Sequence, residues 1–109
     1  MNNPDFAALD MRVGTVRNAE PFPEARKPAI KLLIDFGPEL GLKRSSAQLT
    51  SHYTAEQLVG RQIVAAVNLG TRRIAGFDSE VLVLGAVPEA GNVILLSPDQ
   101  RVPDGTRVA

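Results

Sequence analysis

From Ile30 to Phe36 the chain alternates, with Ile30, Leu32, Ile34 and Phe36 in one set and Lys31, Leu33 and Asp35 in the other. That period of two predicts a strand with one face in a core. Upstream, Met11 to Ala19 is rich in β-branched residues (Val13, Thr15, Val16) and predicts another strand. Val13 and Val16 fall on opposite faces of a regular strand, and Gly14 between them predicts a bulge or the sharp bend of a small barrel's corner. Pro21 and Pro23 bracket Phe22 and end this strand, leaving a loop through Pro28 that carries Glu24, Arg26 and Lys27. Phe36-Gly37-Pro38-Glu39 is turn chemistry. A third strand, Leu42 to Gln48, is expected to return antiparallel with a polar surface of Lys43, Arg44, Ser45 and Ser46. Thr54-Ala55-Glu56-Gln57 spells a capping box opening a short helix, with Leu58 and Val59 as its apolar contacts and Gly60 as its stop.

Two further strands, Ile63 to Leu69 and Val81 to Val87, are apolar on both faces. A parallel sheet under helices would explain that pattern, but the chain has too few helical residues to cover one. In a small barrel the inward faces bury each other, and the outward face of Leu82, Leu84 and Ala86 then calls for a partner subunit. A homodimer is the expectation. Pro88 to Asn92 is a turn, Val93 to Leu96 a short strand, and Pro103-Asp104-Gly105 a turn before an extended Thr106-Arg107-Val108. At the other end, Asn3 as N-cap, Pro4 and Asp5 open a helix of one or two turns with Phe6 and Leu9 on one stripe. The order strand, strand, strand, helix, strand, strand predicts an all-β protein with short helices. It describes an OB-fold, a five-stranded Greek-key barrel, with an N-terminal helix and a C-terminal extension; a different small β-barrel is the alternative. The whole of 1–109 reads as a single domain, with no repeat and no linker.

Composition narrows the function. Twelve Lys plus Arg balance twelve Asp plus Glu, which argues against bulk attraction for nucleic acid and makes any anion site a local patch. The chain has no cysteine and one histidine, His52, so thiolate chemistry and a histidine-rich metal site are not expected, nor is a cofactor. Neither a secretory leader nor a membrane span is apparent, so a cytoplasmic protein without membrane insertion is the expectation.

Catalytic constellations are thin. His52 beside Ser51 is adjacency in sequence, not a triad geometry, and Ser51 is more simply part of the cap before the short helix. Neither GxGxxG nor GxxxxGK[ST] occurs, so no phosphate loop is present. The stretch Gln62 to Gly85 carries more information, since its two strands flank a polar and basic loop with Asn68, Arg72, Arg73, Phe77, Ser79 and Glu80. Rigid strands presenting such a loop suit a binding protein rather than an enzyme. Basic pairs recur at Arg26-Lys27, Lys43-Arg44 and Arg72-Arg73; on a strand such a pair offers one side chain to a ligand, whereas in a loop both can converge. Solvation and neutralisation by Glu24, Asp78 and Glu80 is the competing reading. Phe22 and Phe77 lie in polar or Gly/Pro-rich loops, where an exposed ring could grip an apolar side chain or a base, with burial beneath the loop as the alternative. Asn68 can satisfy loop backbone or present its amide to a ligand. Glu80 shares a face with Leu82 and Leu84 and is expected to pair with Arg72 or Arg73.

The strings MRVGTV, PEARKPAIKLLIDFG, SSAQLTSHYTAEQLVGRQIVAAVN, SEVLVLG and SPDQRVPDG together resemble the CsaA family of protein-export chaperones, over nearly the whole chain from Met11 to Ala109. That family lies within the wider tRNA-binding-domain family, related to the C-terminal domain of some methionyl-tRNA synthetases. The resemblance implies an OB-fold, a homodimer and a cytoplasmic location. It also implies two rival ligands: an unfolded preprotein segment, with the export motor SecA as a partner, or tRNA. Ligand contacts would fall to Phe22, Arg26, Lys27, Lys43, Arg44, Asn68, Arg72, Arg73, Phe77, Ser79 and Glu80. Two departures bear on the choice. Where tRNA-binding members carry Ser-x-Gly-Met, this chain has Ser79, Glu80, Val81 and Leu82, which favours the chaperone branch. Where CsaA relatives carry two prolines, it has Leu69, Gly70 and Thr71 followed by Arg72 and Arg73, a more basic and less rigid loop.

Overall fold

The computed structural model describes residues 8–109. The N-terminal helix expected from Asn3 lies outside the described residues, apart from Ala8 and Leu9. Among the described residues, ten strands and two single-turn helices follow. Their order is β1 (Met11–Pro21), β2 (Ile30–Asp35), α1 (Gly37–Leu40), β3 (Leu42–Ala47), α2 (Ala55–Leu58), β4 (Gln62–Ala66), β5 (Arg72–Ile74), β6 (Phe77–Ser79), β7 (Leu82–Val83), β8 (Gly85–Glu89), β9 (Asn92–Leu95) and β10 (Arg107–Val108).

The barrel turns on β1, the longest strand. Its first half pairs antiparallel with β4, Met11 opposite Ala66 through Thr15 opposite Gln62. Its second half pairs on the other edge with β2, Thr15 opposite Asp35 through Pro21 opposite Ile30. On that same edge β10 occupies the place ahead of β2, beside Met11 and Arg12. One strand thus serves two stretches of sheet. The main sheet runs β3-β2-β1-β4-β7, and it closes where β3 meets Ser79, Glu80 and Val81. Glu80 N donates to the Arg44 carbonyl at 2.8 Å, and Ser46 N donates to Ser79 Oγ at 3.0 Å. Ser45 Oγ donates to the Val81 carbonyl at 2.8 Å. The result is a nearly closed antiparallel barrel of the OB type, as the element order predicts.

The alternation in β2 works as expected: Ile30, Leu32, Ile34 and Phe36 are all buried at 3 % exposure or less. They pack with Val16, Leu49, Ile63, Ala65 and Val81. α2 plugs one end of this core with Leu58, and its capping box is present, Thr54 N donating to Gln57 Oε1 at 3.0 Å. Val59, expected beside Leu58 as an apolar contact, instead faces solvent. The irregularity expected near Gly14 splits into two features. The register slips between Val16 and Asn18, so Arg17 is the bulged residue, whereas Gly14 stays in register and lets Ile34 and Phe36 come close.

Two expectations about the later strands need correction. The stretch after Asn68 is not a simple loop, because β5 and β6 form a hairpin, Arg72 opposite Ser79 and Ile74 opposite Phe77. Ala75 and Gly76 form its two-residue turn with φ of 46° and 80°, both in the left-handed region such a turn demands. The strand expected over Val81 to Val87 is divided into β7 and β8, which leaves the barrel as a ribbon with β9. At the break, Gly85 sits where a Cβ would lie 2.5 Å from Val93 Cγ1.

The apolar faces also sort differently. Every residue of β4 is buried within this chain, so its two apolar faces need no partner. The β7–β9 ribbon does have an uncovered face. Leu82, Leu84 and Ala86 alternate along it, and Ala86 stands opposite Ile94. Leu82 is 54 % exposed and Leu96 45 %. No helix among the described residues is long and apolar enough to cross a membrane.

Candidate functional site

A groove of about 480 Å3 opens between the β1–β2 loop, the end of β3, the start of β5 and the β7–β9 ribbon. Its floor is apolar: Ala29, Ala47, Leu49, Ile74, Leu82, Val83 and Val93. Its rim carries Arg26, Lys27 and Arg72, with Ser46 and Gln48 between. Elements far apart in sequence therefore deliver these cations to one hollow. Among the described residues, no carboxylate lies within ion-pair distance of Arg26, Lys27 or Arg72.

Two of the other basic side chains expected at the site, Arg73 and Arg44, are engaged elsewhere. Arg73 Nη1 donates to Asp78 Oδ1 at 2.6 Å across the β5–β6 hairpin. Arg44 lies 3.3 Å from Glu80 and 3.8 Å from Asp78. The expected pairing of Glu80 with Arg72 or Arg73 is thus replaced by Arg44, and Glu80 also accepts from the Arg44 backbone N–H at 3.0 Å. Ser79 is buried in the closing seam, its oxygen taken by Ser46 N. Lys43 sits one residue before Arg44 on β3, half-buried and outside the groove.

Of the two aromatic rings, Phe22 is only 2 % exposed and Phe77 half-buried. They meet edge to face with centroids 5.5 Å apart. Lys31 Nζ lies over both, 4.6 Å from Phe22 and 5.2 Å from Phe77, contacts worth about 0.5–1 kcal/mol each at exposed positions. The pair braces the β1–β2 loop against the β5–β6 hairpin, so the two walls of the groove hold each other. Phe22 offers no free ring in this arrangement. Asn68 acts as a clamp, its Nδ2 donating to the Ala8 carbonyl at 2.6 Å and its Oδ1 accepting from Asp10 N at 2.9 Å. His52 meets the Asn92 carboxamide, and Ser51 Oγ donates to the Gly91 carbonyl at 2.8 Å. Together they tie the approach to α2 to the β8–β9 turn.

Several groove residues escape a reading of the sequence alone. Leu49 and Val93 look like ordinary core, and Gln48 like the end of a polar strand. Ile74 had a usable signal, being a β-branched apolar residue inside an otherwise polar stretch. Lys31 had none, since its importance lies in two rings distant in sequence.

Residues 11–107 match the family model described as a putative tRNA binding domain. The chain belongs to that family. Over its whole length it is similar to the crystal structure of the chaperone CsaA from Bacillus anthracis, with 60 % identity, a TM-score of 0.94 and 99 % of that chain covered. The CsaA chaperone protein of Picrophilus torridus is similar at 44 % identity and a TM-score of 0.90, again with 99 % of that chain covered. A methionine–tRNA ligase from Methanococcoides burtonii is 36 % identical over 102 residues, which take in 94 % of this chain. The chain spans about 15 % of the length of that ligase. The family resemblance read from the sequence is thereby shown, and what these relatives share with the chain is a binding barrel.

Proposed function

We propose that this chain is a binding protein that holds extended, partly apolar polypeptide segments in the groove, as a chaperone of the export pathway in the cytoplasm. The observation that carries the reading is the union of an apolar floor with three cations that have no carboxylate partner among the described residues. Apolar side chains of an unfolded segment would settle on Ile74, Val83 and Val93, which are only partly buried, while Arg26, Lys27 and Arg72 steer acidic groups or backbone carbonyls. No covalent step is assigned to any residue. A second copy of the chain would present a second groove, so a long client could gain avidity from both. The export motor SecA is the proposed downstream partner. The whole-length likeness to two CsaA chaperones supports this reading. Labelled unfolded precursors should bind more tightly than their folded forms in fluorescence anisotropy; equal affinity for the two would refute a chaperone role.

The family match and the ligase relatives favour a second reading, tRNA held on the same surface. It predicts affinity falling steeply with salt. Arg72→Ala should flatten the slope of log K against log salt by about one unit. Arg73→Ala should change it less, because Asp78 already neutralises that guanidinium. Binding of tRNA that is undetectable, or indifferent to salt, removes this reading.

A further inference from the structure

A second hollow, of about 200 Å3, lies where α2 runs into β4 and the C-terminal segment crosses back, lined by Gly60, Arg61, Gln62, Ser97, Pro98 and Arg101. It shares no lining residue with the groove, so a ligand bound there is independent of the polypeptide reading. Both arginines are held in place. Arg61 Nε donates to the Gln57 carbonyl at 3.0 Å, and its guanidinium lies over the Tyr53 ring at 5.3 Å. Arg101 reaches the Gly60 carbonyl through Nη1 and Thr15 Oγ1 through Nη2, each at 3.4 Å. Arg61 thus keeps both terminal nitrogens for a ligand, and Arg101 keeps hydrogens that its two long contacts do not use.

Among the described residues, neither guanidinium has a carboxylate within ion-pair distance. The acid closest along the hydrogen-bond chain is Asp104, and it is already occupied. It accepts from Thr15 Oγ1 at 2.5 Å and Gln62 Nε2 at 3.2 Å, and lies 3.6 Å from Arg17. Two like charges held at one small hollow repel, and an anion between them reverses the sign of that interaction. Both arginines are exposed, so the anchoring fixes their direction while leaving the free nitrogens open to a ligand. A planar carboxylate is satisfied by one guanidinium fork, whereas a tetrahedral oxyanion presents acceptors to several donors at once. Two forks from different elements, with the Ser97 hydroxyl beside them, suit the second. We propose that Arg61, Arg101 and Ser97 form a binding site for a phosphate group.

The test is an NMR titration of the full chain with inorganic phosphate at constant ionic strength. Saturable shifts should centre on Gly60, Arg61, Ser97 and Arg101. Arg61→Gln and Arg101→Gln should each weaken phosphate binding about tenfold, the loss of one charge-assisted hydrogen bond. Arg101→Lys, which keeps the charge, should lose less, and Arg107→Gln, at an exposed position of β10 that lines neither hollow, should lose nothing. Thermal melts of the same variants separate a lost ligand from a lost fold. Shifts that do not saturate, or that centre on other residues, overturn the proposal in the wild-type chain without any variant. So does undiminished phosphate affinity in the folded glutamine variants. A short RNA hairpin added to the phosphate-bound chain identifies the source of the group. Displacement of phosphate assigns the site to the phosphodiester of RNA, and retention assigns it to free phosphate or a phosphomonoester.

Discussion

Gly14 is the place where a single methyl group would matter most. A Cβ there would lie 2.7 Å from Ile34 Cγ2 and 2.8 Å from the Phe36 ring, and both side chains are fully buried. Neither can recede without disturbing the rest of the core. Gly14→Ala should therefore destabilise the chain by about 1–3 kcal/mol, the range for overpacking a filled interior. Urea denaturation should show the midpoint falling with the slope unchanged. An unchanged midpoint would mean that β1 and β2 can part at this point. The sequence alone marks Gly14 as special but assigns it a bulge or a bend, since a missing side chain serves either a distorted backbone or a close neighbour. Only the register, which places the bulge at Arg17, separates the two.

Among the elements, those whose partners are near in sequence are the legible ones. β2 shows its face by alternation, and α2 announces itself by a capping box closed within four residues. The β5–β6 hairpin is hidden because its turn is Ala75-Gly76, lacking the Asn or Asp that usually flags a left-handed first position. The closing seam is hidden for a different reason. Ser45, Ser46, Ser79 and Glu80 are polar residues that read equally well as ligand contacts until the two strands are seen side by side. Ser79 and Glu80, expected as ligand contacts, take part in barrel closure, while Arg26, Lys27 and Arg72 line the groove. Asp35 shows how elements are joined by charge. Its carboxylate accepts from Gly37 N at 2.8 Å and from Arg17 Nη2 at 3.1 Å, linking β2 to α1 and to the bulge of β1. The backbone bond from Gly37, then the Arg17 guanidinium, hold its pKa below the ordinary value. A carboxyl with a lowered folded pKa stabilises the fold above its unfolded pKa of about 4, and that contribution disappears as pH falls through the folded value. Asp35→Asn should be less stable than wild type at neutral pH, and the gap between them should close on acidification below about pH 4. Denaturation midpoints measured across that interval check it; a gap independent of pH would assign the stabilisation to hydrogen bonding alone.

For the whole molecule, the open question is what covers the β7–β9 ribbon. Leu82, Leu84, Ala86, Ile94 and Leu96 share one side of it by strand alternation and by the pairing of Ala86 with Ile94. The opposite side, Val83, Val93 and Leu95, packs on the core. An apolar face that runs from β7 at the barrel edge onto the two-stranded β8–β9 ribbon is costly to leave in water and is unusual for a monomer. The same face on an identical chain is complementary to it about a two-fold axis, which makes an isologous dimer the simplest cover. Light scattering on the wild-type chain should then give twice the mass of one chain at micromolar concentration. Ile94→Glu, at the centre of the face and 38 % exposed, should halve that mass while leaving the barrel folded, because its side chain points away from the core. The monomer should also be less stable to urea, since dimerisation adds to apparent stability in proportion to the logarithm of protein concentration. A wild-type chain that scatters as a stable monomer would instead leave this face free for a different partner. Leu82 belongs both to the ribbon face and to the groove lining, so the loss of the dimer should reach the ligand as well. A long unfolded client that spans two grooves would bind Ile94→Glu more weakly than wild type, whereas a peptide too short to span them would bind both alike.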